Sequence, residues 1–342
     1  HEGRNHRYQG VPELSRGSVK FLRVFQQDAK TYSTWKKTFV YSGPAVSAVQ
    51  TEAVKRIVSV VPVEDDGSAY FRAPAGESLF FQLLDERYRA LQTMRSFTGV
   101  MPGERRGCVG CHESHSTAPV PQTGRALTRA ATALHPPPWG AESIGYERFV
   151  QPVLEQYCGE CHLEDGEARK DFDLTVRPAT GKFQGHFTEP YLTLIGPAAW
   201  PVRIPDTGQP GYGLAGAFPV YGLKSSETYP NDPATDAKTA IWRTMRPMQY
   251  LSLRSRLIDL ASSGKHYDVK ADSLSLRRLI AWVDANCPYV GEEELRAMAI
   301  TADAIIRLAE RQLAGQSAQI GVAKADLFPS FSLFGTIGFA SA

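Results

Sequence analysis

The sequence has no run of 18 or more apolar residues, so no transmembrane helix is expected among its 342 residues. An excess of one charge is lacking too. The 38 Lys and Arg nearly cancel the 36 Asp and Glu, which leaves no electrostatic case for nucleic acid as a partner. Cysteine is scarce at five, with eight histidines and five methionines, so the candidates for any metal chemistry can be named one by one. The chain opens on His1 rather than Met and has no charged-then-apolar leader, so a processed or truncated product is expected, its export signal already removed. Glycine (29) and proline (23) are plentiful and predict long irregular loops, in a chain long enough for two domains with cores of their own.

Four of the five cysteines fall in two copies of one pattern, Cys108-Val-Gly-Cys111-His112 and Cys158-Gly-Glu-Cys161-His162. A C-x-x-C pair alone is a redox dithiol, half of a zinc site, or a heme attachment site. The histidine decides among these. In c-type heme attachment both thiols form thioethers to the porphyrin vinyl groups, and the adjacent imidazole ligates the iron. A four-cysteine zinc site built from both pairs is the alternative. The pairs lie much further apart than in a zinc ribbon, and it leaves the repeated histidine without a role. Two hemes c are therefore expected, with His112 and His162 as axial ligands. Such hemes are attached outside the cytoplasmic membrane, which predicts a periplasmic or comparable location. Cys287, in Ala285-Asn-Cys-Pro288, is read as a small buried thiol at a helix end.

Along the chain, 18–25 reads as a strand. Residues 57–63 and 69–72 flank the turn Glu64-Asp-Asp-Gly67 and read as a hairpin. Residues 79–84 and 91–97 supply two further strands, and the set predicts a small β-sandwich ending at the first heme motif, over residues 1–116. Residues 117–143, with His135-Pro-Pro-Pro-Trp139, read as a linker. Residues 144–298 are expected to be mainly helical and cytochrome c-like. Phe149, Val150, Val153 and Leu154 follow helical spacing into the second motif. Leu276, Leu279, Ile280 and Val283 mark a closing helix capped by Asp272. Residues 196–233, rich in Gly and Pro, are expected to wrap the heme edge. Residues 299–342 form a tail, with a helix over 304–313.

Each iron needs a ligand opposite its motif histidine, or an open position. For the second heme the favoured residue is His266, in a loop before the closing helix. His186 comes next, and Met245 and Met248 are thioether alternatives. The first heme has no obvious distal ligand. His115 is too near His112 in sequence to reach the opposite face without strain, so replacing His112, bonding nearby and simple solvation all stay open. Met94 reads as strand core, with Met101 further along.

One ordered string of motifs carries a resemblance: Gly10-Val-Pro12, Gly17-Ser-Val-Lys20, Val61 to Phe71, Gln92-Thr-Met-Arg-Ser96, Pro102-Gly-Glu104 and Cys108 to Glu113. It resembles the middle domain of the hydrazine synthase alpha-subunit family. The later string, Phe149 to Leu154, Cys158 to His162, Gly264-Lys-His-Tyr-Asp-Val-Lys270 and Leu279 to Asn286, is similar to that family's C-terminal heme domain. The resemblance spans about residues 10–298. It implies a β-rich domain with one heme c, then a domain whose heme c has two histidine ligands, His162 and His266. In the family the middle-domain heme joins reduced nitrogen species; its motif histidine binds zinc, and a tyrosine four residues later takes the iron. Here that position is Ser116, no spare cysteine precedes Cys108, and no counterpart of the family's propeller is expected. His112 is therefore expected on iron. Residues 317–338 resemble a piece of the outer-membrane efflux channel family, too short to make that channel.

The expected function is a diheme c-type cytochrome passing electrons between its two hemes, with redox proteins as partners. The alternative is a hydrazine-synthase-like redox enzyme that acts on a small nitrogen compound or peroxide at an open first heme. A subunit role in a larger complex is a third reading.

Overall fold

The computed structural model describes residues 14–15, 17–28, 46–49, 53–94, 96–108, 123–180, 187–196, 213–218, 247–298 and 313. The chain divides into two compact units, His1–Leu295 and Arg296–Ala342. The expected tail helix over 304–313 and the efflux-like segment lie outside the described residues, apart from Leu313. So does most of the stretch expected at the heme edge.

Four strands form one antiparallel sheet: β1 (Phe21–Asp28), β2 (Val54–Pro62), β3 (Ser78–Leu84) and β4 (Ala90–Thr93), in the order β2-β1-β3-β4. The strands are rich in β-branched and aromatic residues, and β2 alternates buried Ile57, Ser59 and Val61 with half-buried Arg56, Val58 and Val60. Phe25 sits opposite both Ile57 and Phe80 and stacks on Phe80 with ring centres 4.6 Å apart, which locks the register of three strands.

Three sequence expectations change here. Glu64-Asp-Asp-Gly67 does turn, closed by Glu64 N–H donating to Ser68 O and Gly67 N–H to Glu64 O. The chain beyond it does not pair back along β2. Phe71 instead bridges Thr132 and packs edge-on against Phe81. Among the described residues there is one sheet and not two packed sheets. The strand expected over 91–97 stops at Thr93.

A mainly helical region follows: α1 (Tyr146–Phe149), α2 (Gln151–His162), α3 (Glu189–Ile195), α4 (Arg256–Ser262), α5 (Ser273–Asp284) and α6 (Glu292–Met298). The expected cap holds. The Asp272 carboxylate accepts from the N–H groups of Leu274 and Ser275, and Leu279, Ile280, Trp282 and Val283 are buried. Sheet and helices share one apolar core, in which Phe25, Ile57 and Phe80 join Tyr146, Leu154, Tyr191 and Trp282. No helix among the described residues is long and apolar enough to cross a membrane.

A buried polar seam ties the sheet to the end of α5. Arg23 donates to Asp284 Oδ2 at 2.8 Å, to Gln82 Oε1 at 2.9 Å and to Tyr88 O at 2.7 Å. Asp284 also accepts from Ser252 N–H at 3.0 Å and Ala90 N–H at 3.1 Å. A buried charge persists only when paired and hydrogen-bonded, and here both partners are. Beside them Lys55 donates to Ala285 O at 2.9 Å. Cys287 is fully buried as expected, and burial pushes its thiol pKa far up.

Candidate heme attachment site

The second motif occupies the end of α2. Pro152 stands in the first turn, where its missing N–H is no loss. Val153 and Leu154 face the core, and the helix runs through Cys158, Gly159, Cys161 and His162. The chain then folds back over the helix end. Ala168 N–H donates to Cys161 O at 3.0 Å and Leu174 N–H to His162 O at 3.0 Å, capping carbonyls that the helix leaves open. The fold-back needs Gly166, because a Cβ there would sit 2.4 Å from Cys161 O.

This return loop fixes His162. Its Nδ1–H donates to Phe172 O at 2.8 Å, and the Phe172 ring meets the imidazole edge-on at 5.6 Å. With Nδ1 carrying the proton, Nε2 keeps its lone pair. Histidines that ligate metals are commonly oriented in this way.

His266 approaches from the loop between α4 and α5. The end of that loop is clamped to α2, since Tyr157 OH donates to Asp272 Oδ2 at 2.6 Å. The His162 and His266 ring centres are 6.3 Å apart with planes inclined by 21°. Two imidazoles that each give one nitrogen to a shared metal, through bonds of about 2.0–2.1 Å, have centres roughly 6 Å apart, a separation this pair matches.

The thiols discriminate between chemistries. Cys158 is half-buried, and burial, aided by nearby Cys161, pushes its pKa up to about 11. Reactive C-x-x-C dithiols have lowered pKa values, often at a helix N-terminus. These stand at a C-terminus, where the backbone dipole disfavours thiolate and favours a cation. Among the described residues no three His, Cys, Asp or Glu side chains gather as a metal cage. A porphyrin supplies four iron ligands itself and asks the protein for two. The donor set of two thiols and two facing imidazoles fits heme c.

The first motif is less visible. Cys108 is exposed; Cys111, His112, His115, His186 and Met245 lie outside the described residues. Met94 is half-buried against the core, Met101 is 68% exposed, and Met248 is half-buried. Sequence reasoning missed Phe172 and Gly166. Phe172 acts through a backbone carbonyl, which no side-chain pattern reveals. Gly166 follows Asp165, a dipeptide that marks a turn.

The chain is thus a four-stranded antiparallel sheet followed by a mainly helical region, with a C-x-x-C-H helix end opposed by a second histidine. Comparison with known proteins relates it to hydrazine synthase. Residues 17–113, from just before β1 through the first motif, match the family described as hydrazine synthase alpha subunit middle domain. The structure is similar to that of Kuenenia stuttgartiensis hydrazine synthase, with a TM-score of 0.51 and 13% identity over 81% of this chain. At that identity the likeness is one of fold. The chain spans 40% of that protein's length. No curated protein matches the sequence.

Proposed function

We propose that the protein is an extracytoplasmic diheme c-type cytochrome that transfers electrons between two covalently bound hemes. The observation that carries this reading is the pair His162 and His266, 6.3 Å apart, with the Nδ1 of His162 tied to a backbone carbonyl. Cys158 and Cys161 would hold the second heme c, with His162 and His266 on its two faces; Cys108, Cys111 and His112 would hold the first. Heme c supplies a one-electron ferric/ferrous couple. The protein's part is to attach, bury and tune it. The Phe172 carbonyl makes His162 a stronger donor, and the half-buried Tyr157, Leu163 and Phe172 limit water at the site. Attachment of heme c supports a periplasmic location, and redox proteins are the expected partners. The family match, named for a subunit, supports a place in a larger complex.

One observation favours a second reading, a hydrazine-synthase-like enzyme acting on a small nitrogen compound or peroxide at the first heme. The match covers that motif through Glu113.

The test is to produce the chain in a host that attaches hemes c and count covalent hemes. Two are expected, falling to one in Cys158→Ala/Cys161→Ala and in Cys108→Ala/Cys111→Ala. His266→Ala should turn one low-spin heme high-spin in the optical and EPR spectra. Stoichiometric zinc without heme would overturn the reading.

A further inference from the structure

The two facing imidazoles are held very differently. His162 ends a helix and is tied through Nδ1 to Phe172 O at 2.8 Å. His266 rides on an arm, residues 263–271, between α4 and α5, and among the described residues its ring makes no hydrogen bond. The arm is pinned at its base, where Ala271 N–H donates to Ala261 O at 2.8 Å. Within it, Val269 N–H donates to His266 O at 2.9 Å and Lys265 N–H to Ser263 Oγ at 3.2 Å.

The backbone carrying His266 is left-handed on both sides. Gly264 has φ 70°, Tyr267 φ 47° and Asp268 φ 59°. Glycine adopts this region freely and aspartate at modest cost, but for a bulky residue such as tyrosine it is an outlier. Burial of the side chain does not offset the strain, because Tyr267 is 83% exposed and its ring meets only the edge of His266, at 5.1 Å. Residues kept in such conformations cluster where a ligand is clamped or a segment switches.

Resting on the heme reading of this site, we propose that His266 is a displaceable ligand and that a small uncharged molecule with one donor lone pair takes its place opposite His162. The strain at Tyr267 and Asp268 belongs to the arm conformation that sets His266 beside His162, and an arm that swings away is free to relieve it. One coordination bond is exchanged for another, with no electron or proton transferred. Release on the other side would break the Phe172 bond and fray the end of α2, so the exchange is confined to the His266 face.

The test uses the full-length, heme-loaded protein with Tyr267→Asn and Tyr267→Val, titrated in the reduced state with carbon monoxide and followed optically. Both variants lose the tyrosine ring, so they differ chiefly in backbone preference. Asparagine tolerates the left-handed region, and β-branched valine does not. The carbon monoxide affinity of one heme should be about fivefold higher in the valine variant than in the asparagine variant, with the parent between them. Equal affinities would overturn strain as the cause. Hemes that bind no carbon monoxide in any of the three proteins would overturn displacement while leaving the cytochrome reading intact. A chain without covalent heme at Cys158 and Cys161 would overturn both.

Discussion

Lys55 offers a direct measure of how dry the junction between the sheet and α5 is. It lies on β2, is 8% exposed and donates to Ala285 O at 2.9 Å. Burial pulls its pKa down to about 7, and the neighbouring Cys287 thiolate would work weakly the other way. The unfolded chain keeps an ordinary lysine, near pH 10.4. Between about pH 7 and pH 10 the unfolded state therefore holds a proton that the folded state lacks, so stability rises with pH by up to about 1.4 kcal/mol per pH unit. Below pH 7 the burial penalty is present in full. Cys287 contributes with the opposite sign: its thiol is raised in the fold, so its stabilisation is lost as pH climbs past the ordinary thiol range. Comparison with Lys55→Met, which keeps an apolar stem and Cys287, removes that contribution. The unfolding free energy of the parent minus that of the variant, from urea titrations followed by tryptophan fluorescence, should rise by about 2 kcal/mol between pH 7.5 and pH 9.5. Parallel pH profiles would show that Lys55 stays charged in the fold, and that water reaches the junction.

Two further outcomes follow from the same coordinates. Asp284→Asn leaves the Arg23 guanidinium buried without its counter-charge, so a loss of about 3–5 kcal/mol in unfolding free energy is expected; a loss below about 1 kcal/mol would mean the network is not what joins the sheet to α5. Gly166→Ala drives a methyl against Cys161 O and should lift the return loop from the end of α2, costing about 1–3 kcal/mol in a denaturant titration. The same change should alter the His162 imidazole signal in NMR, because Phe172 O moves with the loop; an unchanged signal would separate that carbonyl from Gly166.

The similarity to hydrazine synthase adds a constraint on organisation. The family match ends at residue 113 and covers the sheet, whereas the structural likeness extends over 81% of the chain. The likeness of fold therefore reaches beyond the matched residues into the helical region. Buried positions constrain a chain by volume and apolar character, and many residue choices meet that constraint.

Much of this was legible before any coordinates. Alternation in 54–62, apolar spacing in 149–154 and 276–283, and the Asp272 cap depend on periods of two and 3.6 residues and on local hydrogen bonding, which neighbours along the chain dictate. The doubled C-x-x-C-H spacing named the candidate chemistry for the same reason, since its three side chains lie within five consecutive residues. Tertiary packing decided the rest. The Asp-Gly turn at 66–67 formed, but its second arm left β2 for Thr132, because pairing partners are chosen by which face can be buried and not by the turn alone. His266 stands 104 residues beyond His162 in the sequence, and only tertiary packing, including the clamp from Tyr157 to Asp272 and the bond from Ala271 N–H to Ala261 O, sets the two rings 6.3 Å apart. Phe172 O and the Arg23–Asp284 pair were equally invisible, because a backbone carbonyl leaves no mark in a sequence and a buried charge declares its partner only once the core has closed around both.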